Sequence, residues 1–378
     1  MTKFFRLTVM TLTVLIGGAM MTAGCARTVL HDDGSPAVLI TPDEGRPLAR
    51  ELRIVWHTRL PIEIVRDIYI EGGRLYVESA YGHLVSIDTM DNGEVRWIRP
   101  TRQVLDYPPT SYGDKLFFFT AGHMNVWDKD TGVRIESKDP GLGLVGQPFA
   151  TERVVMVVTA KGRVHGVGHD SLWPEWTVGM HAAPIRDGAA FTYPDAYVVA
   201  TMENDVRRYD AVTGSMRWRV STGDHPLLAA PLVNRRGVFF GARDGFVRAL
   251  NLGGMEMWRR PAGGTSIAQP AYAHGRLFVI IQPNTVVAMD ASNGSILWQQ
   301  DNVGRFLTAT TERAYFLSPG NRTLKAFNMA DGEYIGSLDA RDFSRFAAEP
   351  EAGRFIASTR DGEVYGFVDA DEIGEFLE

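Results

Sequence analysis

The chain has 378 residues, of which 45% are hydrophobic and 22% charged, and its formal charge is −6. This is the composition of a folded protein, and the net negative charge argues against nucleic-acid binding, which depends on clustered Lys and Arg. Cys25 is the only cysteine, so an intramolecular disulfide and a Cys-x-x-Cys zinc or redox motif are excluded. The 39 glycines exceed the usual frequency of about 7% and favour a turn-rich β fold.

Residues 1–24 have the organisation of a secretory signal peptide. Two basic residues precede an uncharged apolar run at residues 7–21, which is too short to span a membrane comfortably. Residues 22–25, Thr-Ala-Gly-Cys, resemble a bacterial lipobox with threonine where an aliphatic residue is usual. This resemblance implies cleavage before Cys25 and lipidation of that cysteine. The alternative is an ordinary secreted signal with an incidental cysteine.

The segment after the cysteine is predicted to be a tether. Residues 25–50 are rich in Pro, Gly, Asp and Thr and show no hydrophobic period. Removal of residues 1–24 takes away two basic residues and no acidic one, which changes the formal charge from −6 to −8. We therefore expect contact with the membrane through the lipid only. Ala26 resembles the residue that follows the cysteine in lipoproteins sent to the outer membrane.

A repeat of about 40 residues covers most of the remaining chain. Short strand-like stretches begin near Leu75, Leu116, Val154, Tyr197, Val238, Leu277, Tyr315 and Phe355. A second column follows about 21 residues later, and five of its seven positions are tryptophan: Trp97, Glu136, Trp176, Trp218, Trp258, Trp298 and Gly336. Trp56 lies in an isolated strand-like segment, residues 52–58, before the first repeat. We predict that these tryptophans pack between neighbouring sheets and do not form an aromatic binding platform.

The turn between the two columns has its own motif. Several repeats contain Asp-x3-Gly-x3-Trp or a near variant, as in Asp290, Gly294 and Trp298. The aspartate can cap its own turn, and glycine can take the positive φ that the reversal needs. Each copy therefore predicts a hairpin.

These repeats predict an all-β fold, an eight-bladed β-propeller of four-stranded antiparallel blades over residues 51–368. The blade beginning at Phe355 lacks an outer strand, and residues 52–58 are an outer strand without a blade. We expect these two ends of the chain to pair and close the ring. Residues 369–378 are an acidic C-terminal tail, predicted to be a frayed extension or a short helix.

The repeat motif follows a Gly-Arg-Leu-Tyr/Phe-Val segment at residues 73–77 and again at residues 275–279. Together, the segment and the motif resemble the PQQ-type propeller repeat. Quinoprotein dehydrogenases with this repeat bind pyrroloquinoline quinone and Ca²⁺ at the centre of the ring. They are much longer, and the alcohol-oxidising branch has an adjacent cysteine pair beside the quinone, whereas the lipobox takes the only cysteine here. We therefore predict no cofactor and no enzymatic activity. A quinoprotein dehydrogenase ranks third among the hypotheses for the function.

Other catalytic and metal motifs are weak. The chain has no Gly-x-Ser-x-Gly elbow and no His-Glu-x-x-His pair. His165 and His169 are four residues apart, but in this repeat we expect two surface histidines, not a metal pair. Residues 128–132 resemble the start of a Ca²⁺ loop, yet they coincide with the turn of the repeat and lack the later oxygen ligands. No metal site is predicted.

A lipid anchor, eight PQQ-type blades and this chain length together resemble the BamB family of outer-membrane assembly lipoproteins. Members of that family are non-catalytic and bind POTRA domains of the outer-membrane barrel insertase. A Leu-x-Leu-Arg segment in a mid-chain blade contributes to the contact, and residues 183–186 match it at Ile185 and Arg186 but not at Ala183. Asp224 is the acid nearest to the positions of two further family aspartates.

The sequence thus predicts a lipid-anchored scaffold in the bacterial cell envelope. It faces the periplasm at the outer membrane and binds protein partners through its loops, because binding function concentrates on the loops of such a scaffold. The resemblance to the BamB family implies that it supports the assembly of outer-membrane β-barrel proteins. The first alternative is a propeller that binds another envelope partner or a carbohydrate, as a sensor or adhesion protein.

Overall fold

A computed structural model of the chain describes residues 29–30, 36–37, 48, 51–62, 64–90, 92–192 and 196–372, without the side chains of residues 186–192 and 196. The predicted signal peptide, Cys25 and residues 373–378 lie outside this set. The chain divides into two units, Met1–Thr41 and Pro42–Glu378. In the first unit, strands β1 (Val29–Leu30) and β2 (Pro36–Ala37) pair antiparallel.

The second unit consists of eight four-stranded antiparallel sheets, the blades of a propeller. It opens with β3 (Leu52–Arg59). Blades 1 to 4 then follow in chain order. Blade 1 consists of β4 (Val65–Glu71), β5 (Arg74–Ser79), β6 (His83–Asp88) and β7 (Val95–Pro100), and blade 2 consists of β8 (Thr110–Tyr112), β9 (Lys115–Thr120), β10 (His123–Asp128) and β11 (Arg134–Lys138). Blade 3 consists of β12 (Phe149–Ala150), β13 (Val154–Thr159), β14 (Arg163–Gly168) and β15 (Pro174–Gly179), and blade 4 consists of β16 (Pro184–Thr192), β17 (Ala196–Thr201), β18 (Asp205–Asp210) and β19 (Met216–Ser221).

The remaining blades continue the same pattern. Blade 5 consists of β20 (Leu232–Asn234), β21 (Gly237–Gly241), β22 (Phe246–Leu250) and β23 (Glu256–Pro261). Blade 6 consists of β24 (Ala271–Ala273), β25 (Arg276–Ile281), β26 (Thr285–Asp290) and β27 (Ile296–Gln300). Blade 7 consists of β28 (Phe306–Ala309), β29 (Arg313–Leu317), β30 (Thr323–Asn328) and β31 (Tyr334–Asp339). First strands of neighbouring blades contact each other, as β16 contacts β20, so the first strands line the centre and the fourth strands form the rim.

Blade 8 joins the two ends of the chain. Its strands β32 (Arg345–Ala348), β33 (Arg354–Ser358) and β34 (Glu363–Asp369) come from the C-terminal end, and β3 supplies the fourth strand by pairing antiparallel with β34. Trp56 of β3 lies opposite Gly366 of β34. The predicted fold, an eight-bladed propeller closed by pairing of N- and C-terminal strands, is confirmed.

The folded body extends past both predicted limits. Leu48, assigned above to the tether, is buried, and its carbonyl accepts a hydrogen bond from the Glu51 amide at 2.9 Å. Asp369, assigned above to the tail, is the last residue of β34 and is fully buried. The reason is electrostatic, because Asp369 accepts a 2.7 Å hydrogen bond from Arg313, whose guanidinium also pairs with Glu51 at 3.1 Å. Arg313 of blade 7 therefore binds residues from both ends of the chain at the place where the ring closes.

Neighbouring blades are joined by a contact between a tryptophan and a glycine. Trp97, in the fourth strand of blade 1, packs on Gly132 of blade 2 so closely that a Cβ on that glycine would lie 2.5 Å from the ring. Five more joints have the same geometry: Trp56 with Gly93, Trp176 with Gly214, Trp218 with Gly254, Trp258 with Gly294 and Trp298 with Gly332. The tryptophans therefore lie between blades.

Hydrogen bonds complete these joints. Four indole N–H groups donate to a backbone carbonyl in the turn of the next blade, at 3.0 to 3.1 Å: Trp97 to Lys129, Trp218 to Leu252, Trp258 to Ala291 and Trp298 to Met329. The glycine of each turn has a positive φ, for example 74° at Gly294, and the Asp290 carboxylate accepts from the Ser292 amide at 2.8 Å. The turn motif of the sequence therefore builds the surface on which the indole rests.

At the two joints that lack a tryptophan, the following blade also lacks the glycine. Blade 2 has Glu136 at the tryptophan position, and blade 3 has Leu172 at the glycine position, with a φ of 51° and a fully buried side chain. The leucine packs into the apolar cluster with Phe117 and Val167. Blade 7 has Gly336, and blade 8 has no turn there because β34 and β3 come from opposite ends of the chain. Tryptophan and glycine are therefore lost together, as parts of one joint.

Replacement of Gly294 by alanine is expected to destabilise the ring more than replacement of Gly275 in the same blade. Both glycines have positive φ, 74° and 81°, so alanine at either position costs about 1–2 kcal/mol of backbone strain. Only the Cβ at Gly294 would meet an indole, 2.5 Å from Trp258, whereas nothing lies within 4 Å at Gly275. Overpacking adds about 1–3 kcal/mol. Urea denaturation measures both losses, and equal losses would contradict the proposed joint.

Candidate protein-binding site

The propeller has two different faces. Turns between second and third strands, and connections from each fourth strand to the next blade, lie on one side, which we call the connection face. The other turns lie on the opposite side, which we call the hairpin face. Predicted contact residue Asp224 lies in the connection between β19 and β20, and its side chain is exposed. It therefore belongs to the connection face, between blades 4 and 5.

Ile185 does not present its side chain to a partner. It lies at the start of β16, only 7% of it is exposed, and it packs in an apolar cluster with Leu227 and Phe240. A β-branched apolar residue at this register belongs to the core between blades 4 and 5, so its role is to fix the connection that contains Asp224 and Leu227. Arg186 follows it in β16, and the arginine side chain lies outside the described atoms.

Backbone hydrogen bonds hold the Asp224 connection against two turns. The Thr222 amide donates to the Asn204 carbonyl at 2.8 Å, and the Asn204 side chain donates to the Gly223 carbonyl at 3.2 Å. In blade 5, the Arg243 amide donates to the Pro226 carbonyl at 2.9 Å. The turns of blades 4 and 5 and the connection between them therefore form one continuous surface.

Apolar side chains are exposed on this surface. Met202 in the turn of blade 4 is 67% exposed, and Leu228 in the connection is 46% exposed. Charged Glu203 follows Met202 in this turn and pairs with Arg219 at 3.4 Å, and Asp224 lies in the same connection as Leu228. We call these five residues, Met202, Glu203, Arg219, Asp224 and Leu228, the blade-4/5 patch.

A buried carboxylate fixes the charges of the patch. Asp205 is fully buried and accepts hydrogen bonds from Thr201 at 2.6 Å, from Arg207 at 2.8 Å and from Arg219 at 2.5 Å. Burial opposes ionisation of Asp205, but these hydrogen bonds outweigh it and hold its pKa below the usual value. Arg207 also pairs with Glu203 at 2.9 Å. Glu203 and Arg219 are therefore positioned before any partner arrives.

Blade 5 repeats this arrangement. Asp244 and Arg248 are nearly buried and pair at 2.5 Å, and Arg259 reaches the same carboxylate at 3.2 Å. The Arg259 guanidinium also lies 4.4 Å from the centre of the Phe246 ring. Burial again opposes ionisation of Asp244, and the hydrogen bonds from Arg248 and from the Phe246 amide lower its pKa. Two adjacent blades thus present arginines held by buried aspartates toward the connection face.

Sequence reasoning missed most of the patch. Met202 and Leu228 lie in segments between strands, where single apolar residues are common and carry little information. One usable signal was present, because Asp205 and Arg207, like Asp244 and Arg248, begin a third strand with an acid followed by an arginine. That pattern marks a fixed ion pair, but it does not reveal which side chains the pair positions.

The described residues contain no group of three or more His, Cys, Asp or Glu side chains that could hold a metal ion. The expectation of two surface histidines is wrong for His165, which is buried in β14 and lies 2.9 Å from the Thr177 hydroxyl. Both faces of this third strand are covered by neighbouring blades. His169 packs on Phe117 at a ring distance of 4.5 Å, and burial lowers the pKa of both histidines.

The Ca²⁺-loop resemblance at residues 128–132 is a capped turn. Asp128 accepts hydrogen bonds from the amides of Asp130 and Thr131 and from the Thr131 hydroxyl, at 2.7 to 3.1 Å. These hydrogen bonds lower the pKa of Asp128. All three use Oδ1 of Asp128, an oxygen that a cation would need.

Within the ranges that the structure describes, no helix combines the length and the apolar character needed to traverse a bilayer.

Comparisons with known proteins point to one family. A family model described as outer membrane protein assembly factor BamB matches residues 172–264 and 243–369, together more than half of the chain. BamB of Yersinia pestis is 25% identical over 242 residues, covering 59% of this chain and 61% of the relative. BamB of Escherichia coli K12 is 24% identical over 357 residues, covering 91% of this chain and 79% of the relative. The chain thus spans about three fifths of the length of the Yersinia protein.

A solved structure has the same fold. The crystal structure of BamB from Moraxella catarrhalis matches with a TM-score of 0.67 and 16% identity, covering 84% of this chain and 97% of that chain. The likeness extends over almost the whole of that structure, and it shows that the two proteins share the propeller.

Replacement of Asp205 by asparagine is expected to lower the free energy of unfolding by about 3 kcal/mol near neutral pH, because Arg207 loses its buried carboxylate partner and keeps only the half-exposed Glu203. The folded-state pKa of Asp205 is lowered, so the carboxylate contributes its full stability above the unfolded pKa of about 3.9 and loses it as pH falls through the folded pKa. The difference from wild type should be constant from about pH 8 to pH 5 and shrink below about pH 4.

Urea denaturation across this pH range measures the difference. Exposed Asp224 provides the control, since Asp224→Asn should change stability by less than about 0.5 kcal/mol. A loss for Asp205→Asn that stays constant down to the acid limit would contradict the electrostatic account.

Proposed function

Because the chain belongs to the family of the outer membrane protein assembly factor BamB, we propose that it is a non-catalytic scaffold for outer-membrane protein assembly. It acts by binding protein partners on the connection face. The partner is a POTRA domain of the barrel insertase, as the family resemblance of the sequence implies. The single observation that carries this proposal is the blade-4/5 patch, which includes Asp224, one of the three residues that the sequence resemblance assigned to the contact.

The composition of the patch suits a protein partner. Met202 and Leu228 offer exposed apolar contact, and the methionine side chain adapts to different surfaces. Glu203, Arg219 and Asp224 add charges of both signs to the same turns and connection. Such charges orient a partner and reject surfaces of the wrong pattern. A mixed apolar and charged patch on a rigid scaffold therefore supports a binding role and not a catalytic one.

An alternative carbohydrate role receives less support. Protein surfaces bind sugar rings by stacking them on exposed aromatic faces, but the repeat tryptophans lie between blades and pack on glycines. Trp56, Trp97, Trp258 and Trp298 are all buried. The tryptophans that dominate the sequence pattern are therefore structural.

Attachment through Cys25 completes the proposal. A lipid on this cysteine would hold the propeller at the outer membrane, facing the periplasm, with the segment up to Leu48 as the tether. The support is the lipobox at residues 22–25. Membrane contact would come through the lipid alone.

The docking role is tested by charge substitutions in the patch. Met202→Asp and Leu228→Asp place an unpaired charge at the centre of the contact, and we expect each to reduce recovery of the POTRA-bearing insertase at least tenfold in pulldowns from detergent-solubilised envelope. Met255→Asp is the matched control, because Met255 is 68% exposed but lies on the hairpin face of blade 5. Equal recovery with all three variants would reject the patch, and failure of the unaltered chain to recover any barrel-assembly subunit would reject the role.

Anchoring is tested separately. Replacement of Cys25 by alanine removes the only thiol that can carry a lipid, so the protein should move from the membrane pellet to the soluble periplasmic fraction. Immunoblots of the two fractions measure the shift. Retention of the Cys25→Ala protein in the pellet after a high-salt wash would contradict lipid anchoring.

A further inference from the structure

An apolar cavity of about 1030 Å³ lies among the first strands of blades 5 to 8. Leu232, Tyr272, Phe306 and Ala348 line it, one from each of these strands. Because β20 and β24 are only three residues long, side chains of second strands also reach the cavity, as Phe278 does. The cavity therefore lies among the first strands of four blades, and apolar side chains form most of its wall.

Arg305 is the one cation lining this cavity among the described residues. It precedes β28 at the connection-face end and donates a 3.3 Å hydrogen bond to the Phe346 carbonyl. No carboxylate of the described residues lies within 4 Å of it, and the nearby Asp67 pairs with Arg345 at 3.6 Å. A guanidinium has five N–H donors, so most of those on Arg305 remain open to a ligand.

The environment of Arg305 strengthens its attraction for an anion. Arg305 is exposed to solvent at the cavity, and the protein that partly covers its guanidinium lowers its pKa. A charge interaction is stronger in such surroundings than in bulk water. The arginine stays protonated, because its ordinary pKa is far above physiological pH.

The opposite end of the cavity is acidic. Glu349 and Glu351 line it on the hairpin-face side, about 10 Å from Phe346 along an extended chain. Glu349 is paired with Arg354 at 2.7 Å, and Glu351 accepts a hydrogen bond from the His274 amide at 2.8 Å. A ligand with one negative end is therefore oriented, with that end at Arg305 and away from the glutamates.

We propose that this cavity binds an apolar carboxylate, an organic acid with an aliphatic or aromatic body and a single carboxylate on Arg305. The planar guanidinium fork matches a carboxylate in two parallel hydrogen bonds, and the apolar walls accept the body of the ligand. A ligand with several negative charges is disfavoured, because one arginine faces two glutamates across the cavity. The site is separate from the blade-4/5 patch and does not depend on docking.

The test uses three matched probes of one shape and different charge: 4-phenylbutyrate, 4-phenylbutanol and 4-phenylbutylamine. Each is titrated by isothermal calorimetry into the full chain in a non-ionic detergent. We expect saturable binding of one 4-phenylbutyrate per chain, weaker binding of the alcohol and the weakest binding of the amine. Equal affinity for acid and alcohol, or no binding of the acid, would overturn the proposal without any variant.

Variants then locate the carboxylate. Arg305→Gln should weaken 4-phenylbutyrate roughly tenfold, the effect of losing a charge-assisted hydrogen bond, while leaving the alcohol unchanged. Arg305→Lys should retain part of the affinity because it keeps the charge. Arg322→Gln, on the connection face of blade 7 outside this cavity, is the control and should bind like wild type. An unchanged acid affinity in Arg305→Gln would overturn the assignment.

Discussion

The ring depends on the joint between a tryptophan of one blade and a glycine of the next. Burial of an indole removes about 150–250 Å² from water, worth about 4–6 kcal/mol at 25 cal/mol per Å². That gain is available only where the neighbouring turn has no Cβ and can take a positive φ, as at Gly132 beneath Trp97. Six such joints surround the ring, and each links a local turn to a long-range contact.

The exceptions show that the joint is a unit. Where Glu136 replaces the tryptophan, Leu172 replaces the glycine and fills the space with its own side chain despite a φ of 51°. At the closure there is no turn, and Arg313 instead pairs with Glu51 and Asp369 from the two chain ends. The ring therefore uses apolar packing at most joints, and at the joint where the chain is interrupted it uses ion pairs to both chain ends.

The ring carries two regions that differ in character. On the connection face, buried Asp205 fixes the position of Arg219, which pairs with Glu203 next to exposed Met202. At the centre, an apolar cavity among the first strands of four blades is also lined by Arg305. Both regions lie between blades or at their ends, where loops and strand lengths vary without weakening the joints.

Much of the fold was predictable, because the same pattern of strands and turns recurs eight times along the chain, about every 40 residues. The strand starts, the capped turns and the pairing of β3 with β34 all follow from patterns within or between copies of the repeat. The site was less predictable. Ile185 matched a family motif but is a core residue, and His165 was expected at the surface but is buried, because both exposures depend on how neighbouring blades cover a strand.

The sequence by itself therefore determined the number of blades, their hairpins and the end-to-end closure, since each depends on spacing along the chain. Lipidation of Cys25 stays a prediction from the sequence. Only the tertiary structure decided that Met202 and Leu228 share a surface with Asp224 and that Arg305 faces an apolar cavity. These neighbours come from different turns and different blades, and their distance is set by the packing of whole sheets, which no local pattern encodes.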